Sequence, residues 1–167
     1  MALDTKIITA TEVKDLAIFD KAFDEAYFTN YILTTQRKYI RPVLGADYYD
    51  ELLTEIAGAT VSADNQIILD SFVDKMLAHY VVYVCYSKVH IQLTNQGSML
   101  NDTEFSNQGK SSDYAQSRDF YVSMADDMKV NLIEYIKEAK ELDSTKYPLF
   151  NECGDIPQVN KRGIILY

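Results

Sequence analysis

The chain has 167 residues, of which 47% are hydrophobic, and this is enough for one domain with a core that needs neither a disulfide nor a metal to fold. Its 25 acidic and 16 basic residues give a net charge of −9. Such a balance repels phosphate and argues against a protein that grips the nucleic-acid backbone.

The N-terminal region predicts two helices. Thr9 and Glu12 have the spacing of a capping box, which starts a short helix running through Phe19. A second helix is expected to begin at Asp20, with aromatic residues four positions apart on one face: Phe23, Tyr27 and Tyr31.

Proline and glycine mark the next boundaries. Pro42 is expected to end or kink the second helix. Gly45 is expected to act as a helix stop before the third helix begins. Asp47 is placed to cap a third helix that ends at Gly58.

Two long helices are predicted to form an antiparallel pair. The first covers about 65–92, is apolar on most sides, and is therefore expected to be the central helix. The second begins near Ser111 or Ser112 and is apolar on one face only, through Ala115, Val122, Ala125, Met128, Leu132, Ile136 and Ala139.

Between these helices, alternating residues before the Asn95-Gln96-Gly97 triplet predict a small β-hairpin over about 89–102, with Gly97 at its turn. The same triplet returns at 107–109, where it is interpreted as turn residues ahead of the last helix. The predicted fold class is thus all-α: a helical bundle with two long antiparallel helices, a small hairpin between them and an extended C-terminal arm.

The C-terminal arm is predicted to cover residues 143–167, after a helical domain at 1–142. It has balanced charge, no helical period and an apolar end, and fully extended it would reach about 80 Å. We therefore expect it to contact another subunit. The predicted interface residues, in the hairpin tip and the arm, are Asn95, Gln96, Gly97, Tyr147, Phe150, Ile164, Ile165, Leu166 and Tyr167.

The sequence offers little for catalysis. His79 and His90 would lie about 16 Å apart along one helix and cannot share a metal ion. Asp70 and Asp74 are spaced to approach a cation, but the Glu-x-x-His pattern of di-metal bundles is absent, so solvated acidic faces are the expectation. No phosphate loop, nucleophile elbow or Cys-x-x-Cys occurs. We expect no enzyme activity, no metal and no cofactor.

Composition also bears on location. Cys85 in an apolar run and Cys153 in a polar tail are typical of reduced thiols in a cytoplasm. Acidic residues in the first fifteen positions do not fit a secretion signal, and polar residues such as His79 and Lys88 interrupt the longest apolar run. Neither a signal peptide nor a membrane span is expected.

One stretch resembles a known family. "YIRPVLGADYYDELL", at Tyr39–Leu53, resembles the I-x-P-x-L-G-x-x-x-Y-x-x-L stretch of head-tail connector proteins, also called head-completion or adaptor proteins, of tailed bacteriophages, in particular those of crAss-like and other Bacteroidetes phages. The order of parts over about 20–150 is similar too: a long apolar helix, "TNQG", a second long helix with "LIEYIKE", then "YPLF".

The resemblance implies a structural subunit of a ring, typically of twelve copies, that lies beneath the portal and lengthens the genome channel. Its expected partners are further copies of itself, the portal protein and tail or other connector proteins, in a virion made in the bacterial cytoplasm. DNA would pass an acidic channel without specific binding. Two alternatives remain open: a cytoplasmic helical protein-interaction module, and a carboxylate-metal helical enzyme that uses Asp70 and Asp74.

Overall fold

The computed structural model describes the backbone of residues 4–17, 24–94, 97–100 and 111–150, and the side chains of residues 4–17, 24–86 and 115–150. Helices make up most of this part of the chain. One hydrophobic cluster joins nearly all of them, and its fully buried side chains include Phe28, Leu44, Met76, Leu77 and Leu132.

The centre of the fold is an antiparallel pair of long helices, α7 (Asp74–His90) and α8 (Ser111–Leu142). The pairing is antiparallel because Tyr80 contacts Asp126, whereas Tyr86, later in α7, contacts Tyr121, earlier in α8. The predicted pair of long helices is confirmed, including the start of α8 at Ser111.

α7 continues a longer helical segment. It is preceded without a break by α6 (Ala63–Ile68) and by a five-residue π-helical turn, π2 (Leu69–Val73). Ser62 caps α6 through a hydrogen bond from Asn65 N to its Oγ. The predicted helix over 65–92 is confirmed for most of its length, but the π turn, which changes the phase of the helix, was not predicted.

The N-terminal segment forms short helices rather than two longer ones. α1 (Ala10–Leu16) begins with the predicted capping box, since Thr9 and Glu12 bond reciprocally. The predicted single helix after Asp20 is wrong in the part described: α2 (Ala26–Thr29) and α3 (Ile32–Thr35) are separate, and a second π turn, π1 (Gln36–Ile40), follows.

The aromatic face predicted for this region is also wrong. Tyr27 is 41% exposed and Tyr31 half-buried, whereas Phe28 and Ile32 are fully buried four positions apart. The tyrosines fit the 3.6-residue period equally well, but a hydroxyl is cheaper to leave near water than to bury, and the two purely apolar side chains occupy the core.

The segment that resembles connector proteins folds into a tight helix–turn–helix. Pro42 lies in α4 (Arg41–Leu44), which follows π1 without a break, so its missing N–H interrupts the hydrogen-bond ladder of the helix at this point. Gly45 then takes φ 82°, a conformation open mainly to glycine, and ends α4. α5 (Ala46–Gly58) starts directly after it, so Asp47 lies in the first turn and does not cap the helix as predicted.

The predicted fold class needs correction in its finer parts, although all-α describes the protein broadly. The predicted hairpin bounds of about 89–102 are wrong, because α7 continues through His90. Within the described residues, sheet structure is limited to four-residue strands β1 (Ile91–Thr94) and β2 (Gly97–Leu100), paired antiparallel.

The extended arm is corrected as well. Residues 143–150 turn back onto the helices, and Tyr147 and Phe150 are each only 4% exposed. The helical body therefore extends at least to Phe150, and the predicted boundary after Leu142 cuts through packed structure. Residues 151–167 lie outside the described part of the chain.

Candidate assembly surfaces

One end of the α7–α8 pair is closed by the chain's own residues 143–150. Tyr147 and Phe150 pack edge-on against Tyr48 of α5, with ring centroids 6.1 and 6.3 Å away. Tyr48 is itself buried and donates a 2.8 Å hydrogen bond to Asn65 Oδ1. Burial, followed by the nearby Tyr147, raises the pKa of Tyr48 far above its ordinary value, which keeps the phenol neutral.

Polar contacts hold the same segment in place. Lys140 Nζ donates to the carbonyl of Phe150 at 2.9 Å, and Lys146 Nζ reaches Asp64 Oδ1 at 3.1 Å. Tyr147 adopts φ 48°, which is unfavourable for a residue with a side chain, and its buried ring and contacts compensate for that strain. Residues 143–150 are therefore an ordered part of the folded subunit.

The opposite end of the α7–α8 pair has an open aromatic groove. A cavity of about 350 Å³ lies between the two helices and is lined by Tyr86, Gln116, Ser117, Phe120 and Tyr121. Phe120 is 57% exposed, while Tyr86 and Tyr121 are half-buried with ring centroids 6.0 Å apart. We call these five residues the aromatic groove. A groove with exposed rings beside neutral polar groups is typical of protein interfaces.

The other large apolar side chains that are exposed among the described residues are Tyr27, Ile67, Val130, Leu142 and Leu149. Single exposed side chains are normal on a protein surface, whereas the groove groups three rings with polar neighbours. The groove is therefore the strongest candidate contact surface among the described residues.

The charge of the surface is uneven. The sequence from 42 to 74 has seven acidic residues and no lysine or arginine: Asp47, Asp50, Glu51, Glu55, Asp64, Asp70 and Asp74. A short basic cluster directly precedes it, formed by exposed Arg37, Lys38 and Arg41. Arg37 also bonds Asp4 at 3.2 Å. The α5–α6 region thus presents a negative surface, which is unsuited to binding phosphate backbones.

The predicted interface residues lie in different parts of the structure. Tyr147 and Phe150 are corrected to core residues of the subunit, because they close the Tyr48 end. Gly97 begins β2. The remaining ones, Asn95, Gln96, Ile164, Ile165, Leu166 and Tyr167, lie outside the described residues.

Sequence reasoning missed the groove. Neither Phe120 nor Tyr121 belongs to the apolar stripe that was predicted for α8. The only indication in the sequence was that Phe120 lies beside the apolar stripe of α8 rather than on it.

The titratable groups considered for chemistry are mostly structural. His79 is buried, with Nδ1 2.7 Å from the carbonyl of Lys75 one turn earlier in the helix. Burial raises the pKa of the Cys85 thiol to about 12, so the thiol is protonated and unreactive. Within the described residues, no three His, Cys, Asp or Glu side chains are grouped to hold a metal ion.

Asp74 differs from its predicted role. A solvated acidic face was expected, but Asp74 is half-buried, and burial, Asp70 and Glu12 together raise its pKa to about 7. The i, i+4 spacing with Asp70 was visible in the sequence, whereas the packing of α1 over it was not.

No helix among the described residues is both long and apolar enough to cross a bilayer. No curated protein and no solved structure matches the chain significantly. A family model does match residues 40–158: the Family of unknown function (DUF6712). Because the match covers more than half of the sequence, the chain belongs to this family.

Proposed function

We propose that this member of the DUF6712 family is a structural, non-enzymatic subunit that assembles with copies of itself into a ring at the portal-tail junction of a tailed bacteriophage. In this role it extends the genome channel and joins the portal to the tail. The observation that carries the assembly part is the aromatic groove, where Phe120 is 57% exposed. The location in a virion rests on the resemblance of Tyr39–Leu53 to head-tail connectors.

The fold explains why the motif in that resemblance has its spacing. Ile40, Leu44, Tyr49 and Leu52, which occupy the apolar positions of that motif, are buried, and Gly45 holds the positive φ between α4 and α5. The motif therefore specifies a local helix–turn–helix, which supports a shared architecture. The family match begins at residue 40, so the same unit stands at the start of the family's common region.

The charge distribution supports a channel role. The acidic run from 42 to 74 and the net charge of −9 give a subunit that repels DNA, so a genome could slide past without adhering. A second copy is the proposed occupant of the aromatic groove. Repetition of one head-to-tail contact around an axis closes a ring if the rotation per subunit divides a full turn.

The first test is the state of assembly. The full-length protein should be measured by native mass spectrometry and negative-stain microscopy over a range of concentrations, alone and with the portal protein of the same phage. We expect closed rings, of about twelve copies in the connector arrangement that the resemblance implies. A monomer under every condition, absent from purified particles, would instead favour the cytoplasmic protein-interaction module.

The second test concerns the end of the chain, which lies outside the described residues. A variant lacking residues 151–167 should keep a folded body, because the Tyr48 end is already closed by Tyr147 and Phe150. We expect it to melt like the full chain yet fail to enter particles in a co-sedimentation assay. Normal incorporation would show that the ring contacts lie on the helices alone.

A further inference from the structure

An unusual carboxyl group lies where the first helix meets the central one. Asp74 is the first residue of α7, directly after the π turn, and α1 packs against α7. Its Oδ1 is buried and has no hydrogen-bond partner among the described residues. Two further carboxylates act on it, Asp70 from one turn earlier and Glu12 from α1, and the cation that acts on it is the adjacent Lys75.

The two neighbouring carboxyl groups each have hydrogen-bond donors. Glu12 Oε2 accepts hydrogen bonds from Thr9 N at 2.6 Å and from Thr9 Oγ1 at 2.8 Å, within the capping box. Asp70 Oδ1 accepts one from Gln66 Nε2 at 2.7 Å. Of the three carboxyl groups, Asp74 is thus the one with a buried oxygen that lacks a donor among the described residues.

We propose that α1 is a proton-controlled latch on α7: α1 is held closed while Asp74 is protonated, and it opens more often when Asp74 is ionised. An ionised Asp74 would place a third negative charge beside Glu12 and Asp70 and bury an oxygen without a donor. Opening of α1 relieves both costs, because it removes Glu12 and admits water. The other charged side chains of α1 are Lys14, 3.6 Å from Glu25 in an ion pair, and exposed Asp15.

The direction of the pH dependence follows from linkage. Asp74 has a pKa of about 7 with α1 closed, raised from 3.8 by burial first and then by Asp70 and Glu12. The closed form therefore binds a proton that the open form releases. Docking of α1 is strongest below about pH 4, weakens as the pH rises toward 7, and stays constant above it. A shift of about three pH units allows at most roughly a thousandfold change in the opening equilibrium.

The test is amide hydrogen exchange of the full-length protein, read by mass spectrometry on peptides from α1 and corrected for the intrinsic pH dependence. The amides of Val13 and Ala17, which bond to the carbonyls of Thr9 and Val13, report on closure of α1. Between about pH 5 and pH 8 we expect opening of α1 to increase at least tenfold, within that linkage ceiling. In Asp74→Asn this increase should vanish, because the amide mimics the neutral acid. Asp50→Asn, an exposed acidic residue of α5, is the matched control and should keep it.

Three results would overturn the proposal: no pH dependence in the wild type, the same dependence in Asp74→Asn, or an equal rise throughout α8, which would mean global unfolding. If Asp74→Asn does not fold, carbon-13 NMR titration of the wild-type Asp74 carboxyl decides instead. A midpoint near 7 supports the latch, and a midpoint near 4 refutes it.

Discussion

The two ends of the α7–α8 pair use the same kind of residue with opposite results. At one end, Tyr48, Tyr147 and Phe150 are all buried, because residues 143–150 fold back and cover Tyr48. At the other end, Tyr86, Phe120 and Tyr121 line an open groove. Both ends are aromatic, so composition does not distinguish them.

Among the described residues, the difference is that the closed end has a covering segment with polar anchors. The closed end has Lys140 on the carbonyl of Phe150 and Lys146 on Asp64, which offset the cost of ordering the segment. Aromatic groups in an open groove gain free energy only when something else covers them. The closed end therefore contributes to the stability of the subunit, whereas the groove is the surface that we propose contacts a second copy.

The largest effect should come from opening the closed end. A chain that stops after Leu142 loses Tyr147 and Phe150 and exposes Tyr48. Because burial of each large side chain contributes roughly 1.5 to 3 kcal/mol, loss of the two rings should lower the free energy of unfolding by about 3 to 6 kcal/mol. The control is a chain that stops after Phe150. Chemical denaturation should find the shorter chain much less stable, and equal midpoints for the two would mean that residues 143–150 are a loose arm after all.

A single substitution at the same end should be nearly as severe. Tyr48→Ala leaves a cavity between Tyr147 and Phe150 and should cost about 3 to 5 kcal/mol in urea unfolding. Tyr48→Phe keeps the ring and removes only the donor to Asn65, for a smaller loss of about 1 to 3 kcal/mol. If the two variants lost the same amount, the hydrogen bond rather than the packing would hold this end together.

A smaller effect is expected midway between the ends. Tyr80 donates a 2.7 Å hydrogen bond from α7 to Asp126 of α8, and its ring stacks on Tyr39 with centroids 4.4 Å apart. Tyr80→Phe should lower the free energy of unfolding by about 1 kcal/mol, because exposed Asp126 regains water. Asp126→Asn keeps an acceptor and should lose less. A loss in Tyr80→Phe as large as that in Tyr48→Ala would contradict this ranking.

The smallest effect on stability should occur at the groove. Phe120→Ser should change the free energy of unfolding by less than about 0.5 kcal/mol, because the ring is mostly exposed already. Its effect should appear in self-association, measured by analytical ultracentrifugation, where we expect the assembled fraction to fall. Val130→Ser is the matched control, since Val130 is 51% exposed on the same helix but outside the groove. Equal association of both variants would remove the groove from the interface.

Several features could be predicted from local sequence. The capping box at Thr9 and Glu12, the glycine at 45 and the start of α8 at Ser111 were all correct, because each depends on a few neighbouring residues. Asp47 was misplaced as a cap by two residues, since Gly45 serves both as the end of α4 and the start of α5. Errors of that size arise when one residue can fill two roles.

The candidate surfaces were less accessible to prediction. Interface use was assigned to Tyr147 and Phe150, which the structure buries, while Phe120 was not singled out. The apolar content of residues 143–150 and their lack of helical period fit an arm and a packed segment equally well. Only the position of Tyr48 and Asp64, more than eighty residues earlier in the chain, decides between them.

By itself, the sequence determined the helical periods, the caps and the acidic run from 42 to 74, because these follow from residue type and spacing. Only the tertiary structure decided which residues are covered: Phe28 and Ile32 rather than Tyr27 and Tyr31, and Asp74 beneath α1 rather than in water. The physical reason is that burial depends on long-range packing among all elements at once. A side chain's neighbours in the sequence set its direction on the helix, and its neighbours in space set its free energy.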